Sequence, residues 1–447
     1  MVSWFSALKG YLKPQVLVFL FLGFSCGIPY NLLAATFSLW LTDSGLTLAV
    51  IGLSSLVLIP YSFRFLWAPL VDNVRLPFLS DKFGLKKSWG IVFQIGLLIS
   101  VIGLAFSNPS SDFFVYRFES QIKGQDVINV LPLATFFWAF LAAFFAASQD
   151  IVVDALRVDT LKPEEYGQGA GLYQYGYRMG MLLSGAGVIA LASYVPWCVA
   201  YLCAGCGVFV GLVALLAVKT IKETHRKTSF RQMVVEPIKD FAVRHQWVMV
   251  LSFVVLYKMC NSVLGKMATV FYRYLDFSNN EIALVSGTIG PVITMLGVAV
   301  GGLVVMRYSV LKCLFWLGCV ECLTSLAFAL FFFAGHSIAF YCLVIVFDNI
   351  VGGMGGTVFV AYLTSLCSRK FSATQYALLS SLIMLPMSVA ASYSGFLAEM
   401  LGWYEFFIMT GFLMVPALFL LLFMMRQNEK LEKNRKNVSE DMLKITA

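Results

Sequence analysis

The chain has 447 residues, of which 60% are hydrophobic and 13% are charged. Soluble domains contain about 25% charged residues, so this composition excludes an ordinary soluble protein. Its apolar runs are continuous over the ~20 residues that a spanning helix needs, whereas barrel strands alternate over about ten residues. We therefore predict an all-α membrane protein.

Twelve spans can be drawn at this length. Their predicted limits are 15–41, 47–70, 89–107, 131–155, 167–192, 196–218, 247–271, 282–305, 311–334, 338–363, 374–398 and 403–425, numbered 1 to 12. The first apolar run is too long for the core of a signal peptide, and we interpret it as an uncleaved span.

Lysine and arginine are distributed asymmetrically between the loops. If both termini are cytoplasmic, 25 of the 32 lie on the cytoplasmic side, 3 lie in outer loops and 4 lie within spans. This bias follows the positive-inside rule and predicts cytoplasmic N- and C-termini. It also explains the net charge of +8 without a nucleic-acid partner.

The longest polar break between spans divides the chain in two. We predict an N-terminal six-helix half (1–218), a cytoplasmic linker (219–246), a C-terminal six-helix half (247–425) and a cytoplasmic tail (426–447). Two parallel six-helix halves with a site between them near the bilayer midplane are the plan of the major facilitator superfamily. The outer loop 107–129 is interpreted as a solvated loop, with a lid as the alternative.

Span 1 carries features typical of a helix beside a cavity. Gly23 and Gly27 allow close helix approach, and Pro29 removes a backbone hydrogen bond in mid-span. Tyr30 and Asn31 follow the proline and are candidates to bind a ligand. Packing alone is the alternative explanation for the glycines.

Span 4 ends with charged residues, although a membrane span is expected to contain few of them. Asp150, Asp154 and Arg157 fall at i, i+4 and i+7, on one helix face. Acids are unfavourable near a helix C-terminus, and ionisable groups in a span are functional candidates. We predict a role in proton coupling or gating; the alternative is a solvated Asp154–Arg157 pair.

Further charges lie within other spans. Arg178 and Lys258 are in mid-span, where a cation facing lipid is costly, so each should face a cavity or an acid. Snorkelling to headgroups is the alternative for Arg64 and Lys266. The intramembrane acids Glu321 and Asp348 are further coupling candidates. The predicted substrate-binding residues are Tyr30, Asn31, Arg64, Gln174, Tyr177, Arg178, Tyr257, Lys258 and Lys266.

The loop between spans 2 and 3 contains Asp72 to Arg75 and then Asp81 to Lys87, an acidic–Gly–basic pattern that can latch the cytoplasmic side through charge pairs. Several other stretches are distinctive. They are Leu22-Gly23-Phe24, Phe65-Leu66-Trp67-Ala68-Pro69, Ala147-Ser148-Gln149-Asp150, Gly176-Tyr177-Arg178-Met179-Gly180, Leu256-Tyr257-Lys258, Gly352-Gly353-Met354-Gly355 and Phe371-Ser372-Ala373-Thr374-Gln375-Tyr376-Ala377. Together these stretches resemble the AmpG-type muropeptide permeases, a family of the major facilitator superfamily.

This resemblance implies proton-driven import of N-acetylglucosaminyl-1,6-anhydro-N-acetylmuramyl peptides across the bacterial inner membrane. It implies that Asp150 and Asp154 serve transport and that Arg178 and Lys258 line the path. Asn261 stands where the family's span-7 motif often carries Asp. An alternative substrate is another bulky anion such as acetyl-CoA.

Other classes of function have less support in the sequence. A membrane-embedded transferase needs a nucleophile or a general base, and the three histidines, His225, His245 and His336, fall in predicted loops. The ten cysteines are interpreted as small apolar residues of the spans, not as metal or redox pairs. A non-transporting sensor remains a third alternative. We expect a monomeric transporter that binds an anionic glycopeptide and protons, uses no cofactor or metal, and is embedded in lipid.

Overall fold

A computed structural model of the chain describes residues 11–112, 114–122, 125–218, 230–243 and 246–446. The first residues and part of the predicted linker, including His225 and His245, lie outside the described residues. The chain divides into two compact units. The first contains Met1–Phe241 and Leu363–Ser381, and the second contains Ala242–Tyr362 and Leu382–Ala447.

The first unit contains spans 1 to 6. Span 1 is Pro14–Asn31, a π-helical turn Leu32–Thr36 and Phe37–Asp43; span 3 is Leu85–Phe106; span 4 is Leu133–Thr160; span 5 is Tyr166–Leu182, a π-helical turn Leu183–Gly187 and Val188–Ala192; span 6 is Trp197–Ala217. Span 1 packs along spans 5 and 6, and span 3 packs along spans 4 and 6. A short helix, Phe230–Ala242, follows in the linker.

The second unit contains spans 7 to 9, span 10 up to Tyr362, and span 12. They are Trp247–Tyr274, Asn279–Leu284 with Val285–Ile289 and Gly290–Arg307, Val310–Ala334, Ile338–Leu366, and Trp403–Thr446. Span 11, Ser372–Leu401, begins in the first unit and continues into the second. Span 12 packs along spans 7 and 9, around an aromatic core that includes Phe271, Phe328 and Phe407.

Nine helices of the described residues are long and apolar enough to cross a membrane, which establishes a multi-pass arrangement. They correspond to predicted spans 1, 3, 4, 6, 7, 8, 9, 10 and 12. Spans 5 and 11 are also helical, whereas span 2 consists of short pieces. These are Leu48–Leu53, Ser54–Leu58, Ile59–Phe63, Arg64–Leu66 and Ala68–Asn73, followed in the loop by Leu79–Phe83.

The outer loop after span 3 contains regular structure, and its described side chains from Phe114 to Arg117 are exposed, in keeping with the interpretation as a solvated loop. A 3₁₀ turn, Pro109–Ser111, precedes an antiparallel hairpin of β1, Val115–Ile122, and β2, Gln125–Pro132. The register runs from Val115 opposite Pro132 to Ile122 opposite Gln125. Valine, isoleucine, tyrosine and phenylalanine make up seven of the sixteen strand residues, and such residues favour strands.

Spans 1 and 5 approach each other closely along a seam of glycines. A methyl group on Gly27 would overlap the carbonyl oxygen of Tyr177, and one on Gly176 would overlap the carbonyl oxygen of Leu20. Only a residue without a side chain allows two backbones to pack at this separation. The seam fixes the position of span 5 against span 1.

Candidate functional site

Span 4 buries its three charged residues instead of exposing them. Asp150 is 5% exposed, Asp154 is 4% exposed and Arg157 is fully buried. The interpretation of this face as a solvated helix end is therefore wrong. The predicted pair does form, because Arg157 Nη2 donates to Asp154 Oδ1 at 2.8 Å.

Arg64 from span 2 completes this cluster. Its Nη1 lies 3.6 Å from Asp150 Oδ2 and 3.7 Å from Asp154 Oδ2, and Nη2 donates to Ser380 Oγ at 2.7 Å. The two carboxylate contacts are longer than ordinary hydrogen bonds, so one guanidinium is shared loosely between two acids. The alternative of snorkelling is wrong for Arg64, which is 8% exposed within the first unit.

Arg157 is held by an acid, a hydroxyl group and two aromatic rings, although its Nη1 has no hydrogen-bond partner among the described residues. Its Nε donates to Thr364 Oγ1 at 3.2 Å, and its guanidinium carbon lies 4.8 Å from the ring centroid of Tyr173 and 5.1 Å from that of Tyr376. Two aromatic faces and a carboxylate stabilise a desolvated cation. Arg157 is therefore fixed, whereas Arg64 contacts both acids at longer range.

Asp150 is the less satisfied of the two acids. Its Oδ1 is buried and accepts no hydrogen bond from the described residues. Neighbouring side chains are themselves anchored: the Ser148 hydroxyl accepts from the Trp67 indole at 2.9 Å, and the Gln149 amide donates to Ser25 Oγ at 3.1 Å. The cluster thus contains an acid that can bind a proton in a fixed surrounding.

The acidic–basic loop between spans 2 and 3 contacts the start of span 11. Asp72 Oδ2 accepts from the backbone N–H and the hydroxyl of Thr374, at 2.8 and 2.7 Å. Lys86 Nζ pairs with Asp159, lies 3.4 Å from Asp72 Oδ1 and donates to Ser372 Oγ at 2.7 Å. A carboxylate at a helix N-terminus is favourable because it accepts from otherwise unpaired N–H groups.

Span 5 presents a cation, Arg178, for which the described residues supply no counter-ion. Arg178 is half-buried, its Nε is buried, and among the described residues it forms neither an ion pair nor a hydrogen bond. Gln174 and Tyr177 lie on the same helix and are also half-buried, with the Tyr177 ring 6.0 Å from that of Tyr173. A desolvated, uncompensated guanidinium is costly, which suits a site that an anion occupies.

The two candidates of span 1 differ in their surroundings. Tyr30 is half-buried and its ring lies edge-on to that of Tyr61, at 5.5 Å. The Asn31 amide donates to the Met181 carbonyl at 2.9 Å, so in this structure it links spans 1 and 5.

The second unit contains a separate polar group. Glu321 is 3% exposed and accepts a hydrogen bond from Asn261 Nδ2 at 3.2 Å. Lys258 and Asp348 are its charged neighbours, and Lys258 Nζ lies 4.8 Å from the centroid of the Phe359 ring. Tyr257 is fully buried and donates to the Leu314 carbonyl at 3.3 Å. The side chain of Lys266 lies outside the described residues.

Several residues of these clusters escaped the sequence reasoning. Thr364, Tyr376 and Ser380 contact the arginines of the first cluster, yet each is an ordinary polar residue in an apolar chain. Of the three, Tyr376 alone lies in the stretch Phe371 to Ala377, which resembled the permease family without indicating a partner. Within the described residues, no group of His, Cys, Asp or Glu is arranged to hold a metal ion.

Spanning helices that bury paired and unpaired charges define a multi-pass membrane transporter. The sequence model described as Major Facilitator Superfamily matches residues 19–391. The chain belongs to this family, and the prediction of its fold is confirmed.

Two relatives align over most of their length. The protein named AmpG 4 of Rickettsia conorii is 33% identical over 412 residues, covering 90% of this chain and 94% of its own. The anhydromuropeptide permease of Escherichia coli K12 is 32% identical over 418 residues, covering 93% of this chain and 80% of its own. The predicted resemblance to AmpG-type permeases is confirmed.

Solved structures agree in fold. The human organic anion transporter MFSD10 (TETRAN) superimposes with a TM-score of 0.66 at 13% identity, covering 91% of this chain and 99% of its own. The proton:xylose symporter XylE superimposes with a TM-score of 0.63 at 14% identity, covering 93% and 96%. The chain is a secondary transporter by homology.

Proposed function

We propose that this chain is a proton-coupled importer of anhydromuropeptides in the bacterial inner membrane. The observation that carries the proposal is the 32% identity over 418 residues to a protein named an anhydromuropeptide permease. Glycopeptides of this kind bear carboxylates and sugars. The first unit offers Arg178, which has no ion pair among the described residues, and the half-buried rings of Tyr30 and Tyr177.

Proton coupling is assigned to Asp150 and Asp154. Two acids share one arginine at 3.6 and 3.7 Å, while the second arginine is committed to Asp154 at 2.8 Å. A proton on Asp150 would remove its attraction for Arg64 and leave Arg64 paired with Asp154 alone. A change of partner of this kind links proton binding to a rearrangement of span 2, because Arg64 begins one of its short helical pieces, Arg64–Leu66, directly after Ile59–Phe63.

Substrate binding is assigned to cations of the two units separately. Arg178 in the first unit and Lys258 in the second are the proposed contacts for the acidic groups of the peptide or the muramyl carboxylate. Tyr30, Gln174 and Tyr177 would contact sugar faces and hydroxyls.

The remaining assignments follow the charge pattern. We propose cytoplasmic N- and C-termini, a monomer surrounded by lipid, and no chemical conversion of the substrate, with neither cofactor nor metal. The relatives are transporters, which supports transport without chemical conversion.

The direct test is uptake into proteoliposomes containing the purified protein. Labelled anhydromuropeptide should enter in response to an inward proton gradient, and unlabelled anhydromuropeptide should compete whereas acetyl-CoA should not. Competition by acetyl-CoA alone would reassign the substrate to another bulky anion. Release of a chemically altered product would instead favour a membrane-embedded enzyme.

Arg178 gives a residue-level test. Arg178→Leu should reduce uptake at least tenfold, because loss of one charge-assisted contact costs about 1.5–3 kcal/mol. Arg178→Lys keeps the charge and should retain part of the uptake. Unchanged transport by a folded Arg178→Leu protein would remove this residue from the binding site.

A further inference from the structure

The second unit buries an acid that is not part of the proposed coupling pair, Asp150 and Asp154. Glu321 lies in the middle of span 9, Val310–Ala334, and is 3% exposed. Its Oε1 accepts from Asn261 Nδ2 at 3.2 Å, whereas its Oε2 is buried and has no hydrogen-bond partner among the described residues. Gly355 of span 10 leaves room for the carboxyl group, since a methyl there would lie 2.9 Å from Oε1.

The groups that face Glu321 come from three helices. Span 7 contributes the cation Lys258 and the weak acids Tyr257 and Cys260, span 10 contributes Asp348, and span 9 itself contributes Cys322. Among the described side chains, one cation therefore faces two carboxyl groups. Two ionised acids would leave this unit with an uncompensated buried charge, which is strongly unfavourable.

The excess negative charge falls on one atom, Glu321 Oε2, which has no hydrogen-bond partner among the described residues. A buried acceptor without a donor costs about 1–3 kcal/mol, and more when it is ionised. A proton on Oε2 removes the charge, while Asn261 continues to donate to Oε1. Binding and release of one proton at this oxygen balance the reaction completely: a carboxylate and a proton form a carboxylic acid, and no other bond changes.

We infer that Glu321 is a second proton-binding site of the transport cycle, with Oε2 as the atom that takes the proton. The inference rests on the proposed function for its substrate and extends it from one coupling site to two. When Glu321 is ionised, Lys258 compensates its charge. When Glu321 is protonated, Lys258 can pair with an acidic group of the substrate, so proton binding favours substrate binding.

The number of protons per substrate can be read from the accumulation ratio in proteoliposomes. With the membrane potential clamped at zero, a pH difference of one unit supports tenfold accumulation per coupled proton, because each tenfold ratio corresponds to about 1.4 kcal/mol. We expect about 100-fold accumulation of anhydromuropeptide by the wild-type protein and about tenfold by Glu321→Gln. Equal accumulation by the two proteins would overturn the inference.

The hydrogen bond between Asn261 and Glu321 allows a matched variant in which the amide and the carboxyl group exchange places. The double variant Asn261→Asp with Glu321→Gln keeps one carboxyl and one amide at the same contact, and should restore the higher ratio. Glu399→Gln, which removes an exposed acid from the second unit, should leave the ratio unchanged. A low ratio in the exchanged variant, with substrate exchange intact, would show that a carboxyl group at this contact is not sufficient and would also overturn the inference.

A substrate-independent measurement separates this inference from the proposed function. If the wild-type protein does not accumulate anhydromuropeptide at all, the proposed function fails while the proton site can still be tested. The infrared absorption of protonated carboxyl groups, followed during a pH change, should lose one component in Glu321→Gln and regain it in the exchanged variant. An identical difference spectrum in wild type and Glu321→Gln would refute the site.

Discussion

Removal of the Arg157 guanidinium should destabilise the first unit strongly. Arg157 is fully buried, pairs with Asp154 at 2.8 Å and is enclosed by the rings of Tyr173 and Tyr376 at 4.8 and 5.1 Å. Arg157→Met keeps much of the side-chain volume but leaves Asp154 with only the longer contact to Arg64, at 3.7 Å.

The expected loss can be estimated from these contacts. Breaking a buried pair by removing one partner costs about 3–5 kcal/mol, and the lost ring contacts add about 1 kcal/mol. We therefore expect Arg157→Met to lower the free energy of unfolding by about 4–6 kcal/mol. The double variant Arg157→Met with Asp154→Leu removes both charges and should cost about 1–2 kcal/mol, since no unpaired acid remains.

The measurement is a double-mutant cycle on the purified protein, unfolded by titration with a denaturing detergent in mixed micelles. Arg75→Met is the matched control, because Arg75 is 42% exposed and its pair with Asp81 spans 3.5 Å. Such exposed pairs contribute about 0–1 kcal/mol. If Arg157→Met costs no more than Arg75→Met, the buried pair does not stabilise the fold and the reasoning is wrong.

Three further outcomes follow from the structure and the sequence. Asp150→Asn and Asp154→Asn should each lose accumulation against a gradient, and at least one should retain substrate exchange in counterflow; normal accumulation by both would remove the pair from coupling. Burial alone would raise the pKa of Glu165, but hydrogen bonds from Lys13 and from the Lys162 backbone lower the pKa below its ordinary value. The stability that Glu165 provides should thus be present above its unfolded pKa, about 4.3, and be lost as the pH falls through the lower folded value; Glu165→Gln should be less stable at pH 7 and show a weaker loss on acidification in thermal unfolding, and an equal loss would contradict this. A reporter fused near Asp112 should be active only outside the cytoplasm.

The sequence predicted the spans well because an uninterrupted apolar run of about 20 residues is typical of a membrane-spanning helix. It also selected Asp150, Asp154 and Arg157 correctly as one face, since helical spacing is a local property. Span 2 was drawn as one helix, 47–70, and is in fact interrupted, with Pro60 and Pro69 at the starts of two of its short pieces. A hydropathy window averages over such breaks.

Burial and partnership could not be predicted in the same way. Arg64 is brought to Asp150 by tertiary packing between residues 86 positions apart, and Thr364 is brought to Arg157 across 207 positions. Neither separation corresponds to a helical or strand repeat, so no periodic pattern in the sequence indicates these two contacts. The hairpin of β1 and β2 was missed for a related reason: its strands lie in a segment assigned by exclusion to a loop, where strand propensity was not considered.

The seam between spans 1 and 5 has a mechanical consequence. At Gly27 and Gly176 backbone meets backbone, with no side chain that could change rotamer and absorb a displacement. Spans 1 and 5 should therefore slide, tilt or rotate together, as one rigid body. We expect Tyr30 on span 1 and Arg178 on span 5 to keep a constant separation through the transport cycle. A ligand bound by both residues moves with spans 1 and 5 as one body. The deformable part of the first unit is then elsewhere, in the short pieces of span 2.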